Sequence, residues 1–170
     1  MELSTVNKLQ KNKNIKNVSL ILFVGKSLEY VMVLNKNGTN LWMFPGGCVE
    51  PTDRTLFQAI KREFQEETGF IFPYFKNILP YYDYKGITRI FVGTTNRIFP
   101  YFDIKKTDGE AKELRYIHFD NLLSYPLRKS IRLSLLEMIN NKFFELKTDI
   151  EVCKNNKELV KKKIENFLKL

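Results

Sequence analysis

The chain has 170 residues, 44% of them hydrophobic and 14% aromatic, and a formal net charge of +9. That length suits one domain with a sizeable core, and the apolar content excludes a disordered chain. Cys48 and Cys153 are too few and too far apart for a disulfide framework, and no apolar run reaches the ~20 residues of a membrane span.

Residues 1–16 form a basic polar arm in which Leu9 and Ile15 are available to dock. Val18 to Val24 and Tyr30 to Leu34 read as a hairpin-like strand pair around Gly25-Lys26-Ser27. Asn35-Lys36-Asn37-Gly38 is a turn signal, and Leu41 to Phe44 reads as the next strand. A helix is expected from Thr55 to Glu67, with Gly69 as its C-cap. Ile87 to Phe99, rich in β-branched and aromatic residues, predicts a long strand, and Leu114 to Phe119 a shorter one. Leu127 to Phe144 has apolar residues at helical intervals and predicts a second major helix. Residues 147–170 contain Leu159, Val160, Ile164, Phe167 and Leu168 at helical spacing around Lys161, Lys162 and Lys163, a basic amphipathic helix expected to pack on its own domain. Strands and helices in this order give a mixed α/β fold.

The excess charge is concentrated at the two ends. Residues 1–17 carry four lysines against one glutamate, a net +3, and residues 147–170 carry seven lysines against four acids, another +3. Basic tails suit a polyanionic partner, and RNA is one such partner; biased codon usage would leave the same composition. With Met1-Glu2-Leu3-Ser4 opening no signal peptide, the expected setting is intracellular and cytoplasmic, without stable membrane insertion.

Arg62-Glu63-Phe64-Gln65-Glu66-Glu67-Thr68-Gly69-Phe70 carries the chemistry. At about 100° per residue, Glu63 and Glu67 continue the line of Leu56 and Ile60, and Glu66 flanks them. Carboxylates aimed along a buried stripe repel one another and are costly to desolvate, unless a cation joins them. A hard divalent cation wants such oxygen ligands. An acidic, solvated helix end with intrahelical pairs to Lys61 and Arg62 is the alternative. Ahead of the helix, Trp42-Met43-Phe44-Pro45-Gly46-Gly47 runs into two glycines, which let the backbone come close to a ligand.

These residues resemble the signature of the Nudix hydrolases, G-x5-E-x7-R-E-U-x-E-E-x-G-U. Gly47 matches the first glycine, and Arg62 to Phe70 match the whole second half. Between Gly47 and Arg62 the chain is one residue longer than the pattern. Strict spacing counted back from Arg62 would put Arg54 in the position of the first glutamate; we place Asp53 there, where the resemblance implies a bridge to Arg62, and a helix-capping role is a further reading. The resemblance covers about residues 17–145, and the domain is drawn at 17–146. It implies an α/β/α sandwich with a mixed β-sheet, and Mg2+ or Mn2+ held by Glu63, Glu66, Glu67 and the Gly47 region.

On that resemblance the chain is a hydrolase of diphosphate bonds, acting on a nucleoside diphosphate linked to another moiety. Arg62, Glu63, Glu66 and Glu67 carry the reaction, and Glu110, in the loop Thr107 to Glu113, is a further ligand or base; Glu113 is a weaker candidate. Trp42, Tyr81, Tyr82 and Tyr84 are available to stack a base, and Lys85, Arg89 and Arg97 to hold phosphates. His118, the only histidine, reads as a core or edge residue. Capped RNA is the alternative substrate, and a non-catalytic nucleotide- or RNA-binding module the alternative class.

Overall fold

The structure is a computed structural model, and it describes residues 14–24, 29–36, 40–70, 77–95, 109–138 and 140. The central strand, β1 (Asn17–Val24), is buried along almost its whole length. Its alternation of side chains divides the molecule into two cores. Val18, Leu20, Leu22 and Val24 pack with Leu56, Ala59, Ile60 and Phe64 of helix α1 (Leu56–Thr68). Ile21 and Phe23 face the other way, toward Trp42, Phe44, Phe119, Leu122, Leu127, Leu135 and Met138. The last two lie on helix α2, residues 129–138. Strand β2 (Tyr30–Asn35) repeats the division, with Met32 and Leu34 on the α1 side and Val31 and Val33 on the other. Helices on both faces of one sheet make the α/β/α sandwich.

The sheet is mixed. With β3 (Gly46–Cys48), β4 (Asn77–Tyr84), β5 (Thr88–Thr95) and β6 (Glu113–His118), its order is β4-β5-β1-β2-β6, and β3 pairs with β1. β1 and β5 are parallel over their full length, and every other pairing is antiparallel. β1 changes partner halfway on one edge. Phe23 and Val24 pair with β2, whereas Asn17, Val18 and Ser19 pair with β3. That exchange sets the glycines of β3 beside α1. Gly46 makes it possible: its φ is +155°, and a Cβ there would lie 2.2 Å from the Val18 carbonyl oxygen.

The expected hairpin-like strands, the α1 boundaries within a residue and the Gly69 C-cap are all present. Ile15 joins the α1-side core. Three expectations change. Leu41 to Phe44 is not a strand, because its backbone switches partners at successive residues: Trp42 exchanges hydrogen bonds with Pro126 and Arg128, and Met43 with Leu34. The strand comes later, at Gly46–Cys48. β4 is an additional strand that the sequence pattern conceals, since Pro80 interrupts it; as an edge strand it tolerates the proline, with a register shift between Pro80 and Tyr82. Third, the aromatics of β4 are structural. Tyr81 is buried in the α2-side core, the Tyr82 hydroxyl donates to Glu137 at 2.8 Å, and Tyr84 lies under Lys85.

Arg89 is also structural. It is fully buried, and its guanidinium donates to both carboxylate oxygens of its cross-strand partner Asp83, at 2.8 and 2.9 Å. A side chain so enclosed does not reach a substrate phosphate. His118 is an edge histidine, as expected, and its Nδ1 accepts from the Asp120 N–H to start a 3-10 helix at Phe119–Ser124. Leu9, Arg97, residues 96–99, residues 141–146 and the whole 147–170 segment lie outside the described residues. Among the described residues no helix is long and apolar enough to cross a membrane.

Removing Asp83 takes the bidentate partner from a buried guanidinium, so Asp83→Ala is expected to cost about 3 kcal/mol of folding stability. Chemical denaturation measures this, and a variant as stable as the native chain would contradict the pairing.

Candidate active site

Helix α1 is held at both ends by its own sequence. The Thr55 hydroxyl accepts from the Gln58 N–H at 3.0 Å, and the Gln58 side chain accepts from the Arg54 N–H at 2.8 Å, a reciprocal cap. Gly69, at φ 74°, closes the other end by donating to the Gln65 carbonyl. Asp53 is therefore not the cap; its carboxylate is committed to Arg62.

Arg62 gathers the site. Its Nε and Nη2 donate to the two Asp53 oxygens at 3.1 and 2.9 Å, and Nη2 also donates to the Cys48 carbonyl at 2.9 Å. Its Nη1 serves Glu63 at 3.1 Å and Glu66 at 3.0 Å, and exposed Glu50 approaches to 3.6 Å. The bridge expected between Asp53 and Arg62 is thus formed. The Asp53 hydrogen bond is the main reason the guanidinium holds its proton more tightly than usual. Asp53 in turn accepts from the Glu50 N–H at 2.8 Å, fixing the turn that absorbs the additional residue.

The three glutamates of α1 have different environments. Glu66 is exposed. Glu63 is buried against Gly47, where a Cβ would come within 2.5 Å of its carboxylate and push that side chain aside. Glu67 is fully buried; it accepts from the Gly46 N–H at 3.2 Å and from the Lys36 ammonium at 3.1 Å. Burial pushes its carboxyl up to about 7, against the opposing pull of Lys36 and the Gly46 N–H. Among the described residues, no three Asp, Glu, His or Cys side chains converge as a ready metal cluster. Arg62 holds Glu63 and Glu66, while Lys36 holds Glu67.

Lys36 is the site residue that sequence reasoning misses. It sits just past β2, and no spacing rule links position 36 to position 67. The loop containing Glu110 does reach α1, but through its backbone: Glu110 N–H donates to the Glu66 carbonyl at 2.8 Å and Ala111 N–H to the Glu67 carbonyl at 2.9 Å. Gly109 allows this contact, since a Cβ would lie 2.4 Å from the Glu67 carbonyl. The Glu110 side chain is exposed, and Thr107 and Asp108 lie outside the described residues.

Among the described residues, one concavity borders the acidic turns of α1 and another lies around Trp42. A groove of about 620 Å³ runs along α1, lined by Gln58, Lys61, Arg62, Gln65, Glu66 and Gly109. A cavity of about 340 Å³ is lined by Asn35, Asn40, Trp42, Glu113, Arg115, Tyr125 and Pro126. In it the Arg115 guanidinium lies 4.5 Å from the centre of the Trp42 ring and is fixed by the Tyr125 hydroxyl at 2.7 Å and Glu113 at 3.0 Å. Trp42 therefore lines the cavity with one face already covered. Glu113 belongs to this cavity, not to the carboxylates of α1. Lys85 lies in the β4–β5 turn and lines neither concavity.

The NUDIX domain family model matches residues 13–136. Among solved structures, a Nudix hydrolase from M. smegmatis, RenU, is 15% identical and superposes with a TM-score of 0.58, covering 78% of this chain and 88% of its own. An Ap4A hydrolase of C. elegans in a binary complex is 17% identical, with a TM-score of 0.52 and coverage of 75% and 96%. A NUDIX hydrolase from Nitrosomonas europaea is 19% identical, with a TM-score of 0.51 and coverage of 74% and 89%. At these identities the likeness is one of fold. No curated protein matches the chain.

Arg62→Lys keeps the charge but loses the planar fork, and is expected to cost about 2 kcal/mol in chemical denaturation; a loss below about 0.5 kcal/mol would contradict the hub. Glu67 binds its proton more tightly in the folded protein, because its carboxyl is raised from 4.5 to about 7. Its contribution to stability in chelator therefore falls as the pH rises between those values and is constant above them, a loss of about 3 kcal/mol. Glu67→Gln should flatten that part of the profile, and an unchanged profile would refute the assignment.

Proposed function

The chain belongs to the Nudix family, and we propose that it hydrolyses the diphosphate of a nucleoside diphosphate linked to another moiety. Membership makes it a hydrolase of diphosphate bonds; the substrate class and the site residues are our reading. The observation that carries this reading is Glu67, a fully buried carboxylate beside the backbone of β3, with Glu63 and Glu66 on the same end of α1. Buried acids in such a place need positive charge, and the donor set is all oxygen, which fits a hard divalent cation. Glu63, Glu66 and Glu67, with the Gly47 backbone, would hold Mg2+ or Mn2+, and the bound ion supplies charge neutralisation at the phosphates and a more acidic water.

The chain's own residues do the rest. Arg62 fixes the direction of Glu63 and Glu66 while leaving neither alone against the other's charge. Water adds to one phosphorus, the bridging P–O bond breaks, and the second phosphate leaves. The proton of the water passes to a carboxylate. Glu67 is our assignment for that base, and exposed Glu110 is the alternative. The nucleoside would enter the cavity of about 340 Å³, where Trp42, Arg115 and Tyr125 form a wall and Glu113, Asn35 and Asn40 offer polar partners to a base edge.

The net charge of +9 makes capped RNA the substrate to set against small compounds. The test is Mg2+-dependent release of labelled cap nucleotide, run beside a panel of small nucleoside diphosphate derivatives. Glu67→Gln should lower turnover at least about 100-fold with the fold intact; undiminished turnover would overturn the site. Release of the cap that weakens steeply with salt would identify an RNA substrate, whereas turnover confined to small compounds would identify a nucleotide-pool enzyme.

A further inference from the structure

We propose that Lys36 is an internal stand-in for the metal: its ammonium neutralises Glu67 until a divalent cation displaces it. The inference rests on the preceding reading of Glu67 as a metal ligand, and it adds a residue that the Nudix signature does not contain. Three observations converge on it. Glu67 is wholly buried, whereas the Lys36 side chain is about one-quarter exposed, at 24%. One partner of the pair is thus fixed in the protein, and the other has water to retreat into. Second, the ammonium lies 3.1 Å from Glu67 Oε1, the same oxygen that accepts the Gly46 N–H. It stands beside the glycine backbone where the ion would bind. Third, Arg62 already serves Glu63 and Glu66, so the charge of Glu67 falls to a separate cation.

The geometry distinguishes Lys36 from Arg62. Arg62 is tied to Asp53, the Cys48 carbonyl and two glutamates, and its release would break all of these contacts. Lys36 is a single flexible arm at the end of β2, next to Lys112, whose N–H donates to the Asn35 carbonyl. A compact ammonium on four methylenes exchanges places with an ion far more cheaply than a planar fork does. Loading the site would therefore consist of replacing one monovalent cation by a divalent one.

The test is a calorimetric titration of the full chain with MgCl2 at pH 8.5. Lys36→Met removes both the competitor and its repulsion of the incoming ion, and is expected to bind Mg2+ five- to tenfold more tightly. Lys61→Met, which deletes an exposed charge of the α1 groove, is the control and should change affinity less than twofold. An affinity that is unchanged or weaker in Lys36→Met would overturn the proposal. Because that variant leaves Glu67 buried without this ammonium, a second measurement uses the native chain. The Lys36 side-chain NMR signal, assigned by its loss in Lys36→Arg, should move to the position of solvent-exposed lysines as Mg2+ is added. A signal that stays in place while Mg2+ binds would equally overturn it. If Glu67→Gln abolishes turnover but neither Lys36 result appears, the active-site reading stands and the stand-in role alone fails.

Discussion

The Arg62 guanidinium is the constraint around which the rest of the site is arranged. Three pieces of chain are tied to it: the turn carrying Asp53, the end of β3 at Cys48, and the acidic turns of α1. The bidentate pair with Asp53 gives direction as well as energy, because both planar groups must align. With that plane set, Nη1 stands between Glu63 and Glu66 and screens their mutual repulsion. The hydrogen bonds also satisfy a backbone carbonyl that β3, only three residues long, would otherwise leave at its end.

Much of this arrangement is legible in the amino-acid sequence, because it depends on local periodicity. β1 and β2 are legible as short apolar runs bounded by turn residues, and Thr55 and Gly69 mark the ends of α1 by chemistry that acts within a few residues. The Asp53–Arg62 bridge is legible for a different reason, since resemblance supplies the pairing and charge complementarity supplies the means. What stays hidden depends on register between distant segments. Position 36 meets position 67 only because β2 runs beside β1 and α1 packs over both. Arg89 reads as a phosphate ligand because a basic residue in a strand gives no sign of its cross-strand neighbour; Asp83 is revealed only by the pairing of β4 with β5. Pro80 hides that strand in turn.

The division of charge at the end of α1 has an energetic logic. The five N–H donors of Arg62 are taken by Asp53, the Cys48 carbonyl, Glu63 and Glu66, which leaves none for Glu67. The protein splits the load by depth. The more accessible pair goes to Arg62, and the deepest carboxylate goes to Lys36 and to a backbone N–H. A fully buried carboxylate with no such partner would stay protonated or force the helix to shift. In this structure Arg62, Lys36 and the Gly46 N–H are the partners of these acids.

The same alternation that separates the two cores also separates the two halves of the site. Asn35 ends β2 and lines the cavity with Trp42 and Arg115, on the side where Trp42 joins the α2 core. Lys36, the next residue, meets Glu67, whose helix covers the opposite face. Consecutive residues at a strand end diverge, so a molecule placed in the cavity and one placed at the carboxylates are parted by the edge of the sheet itself. A substrate engaging both must bridge that edge with an extended, flexible linkage.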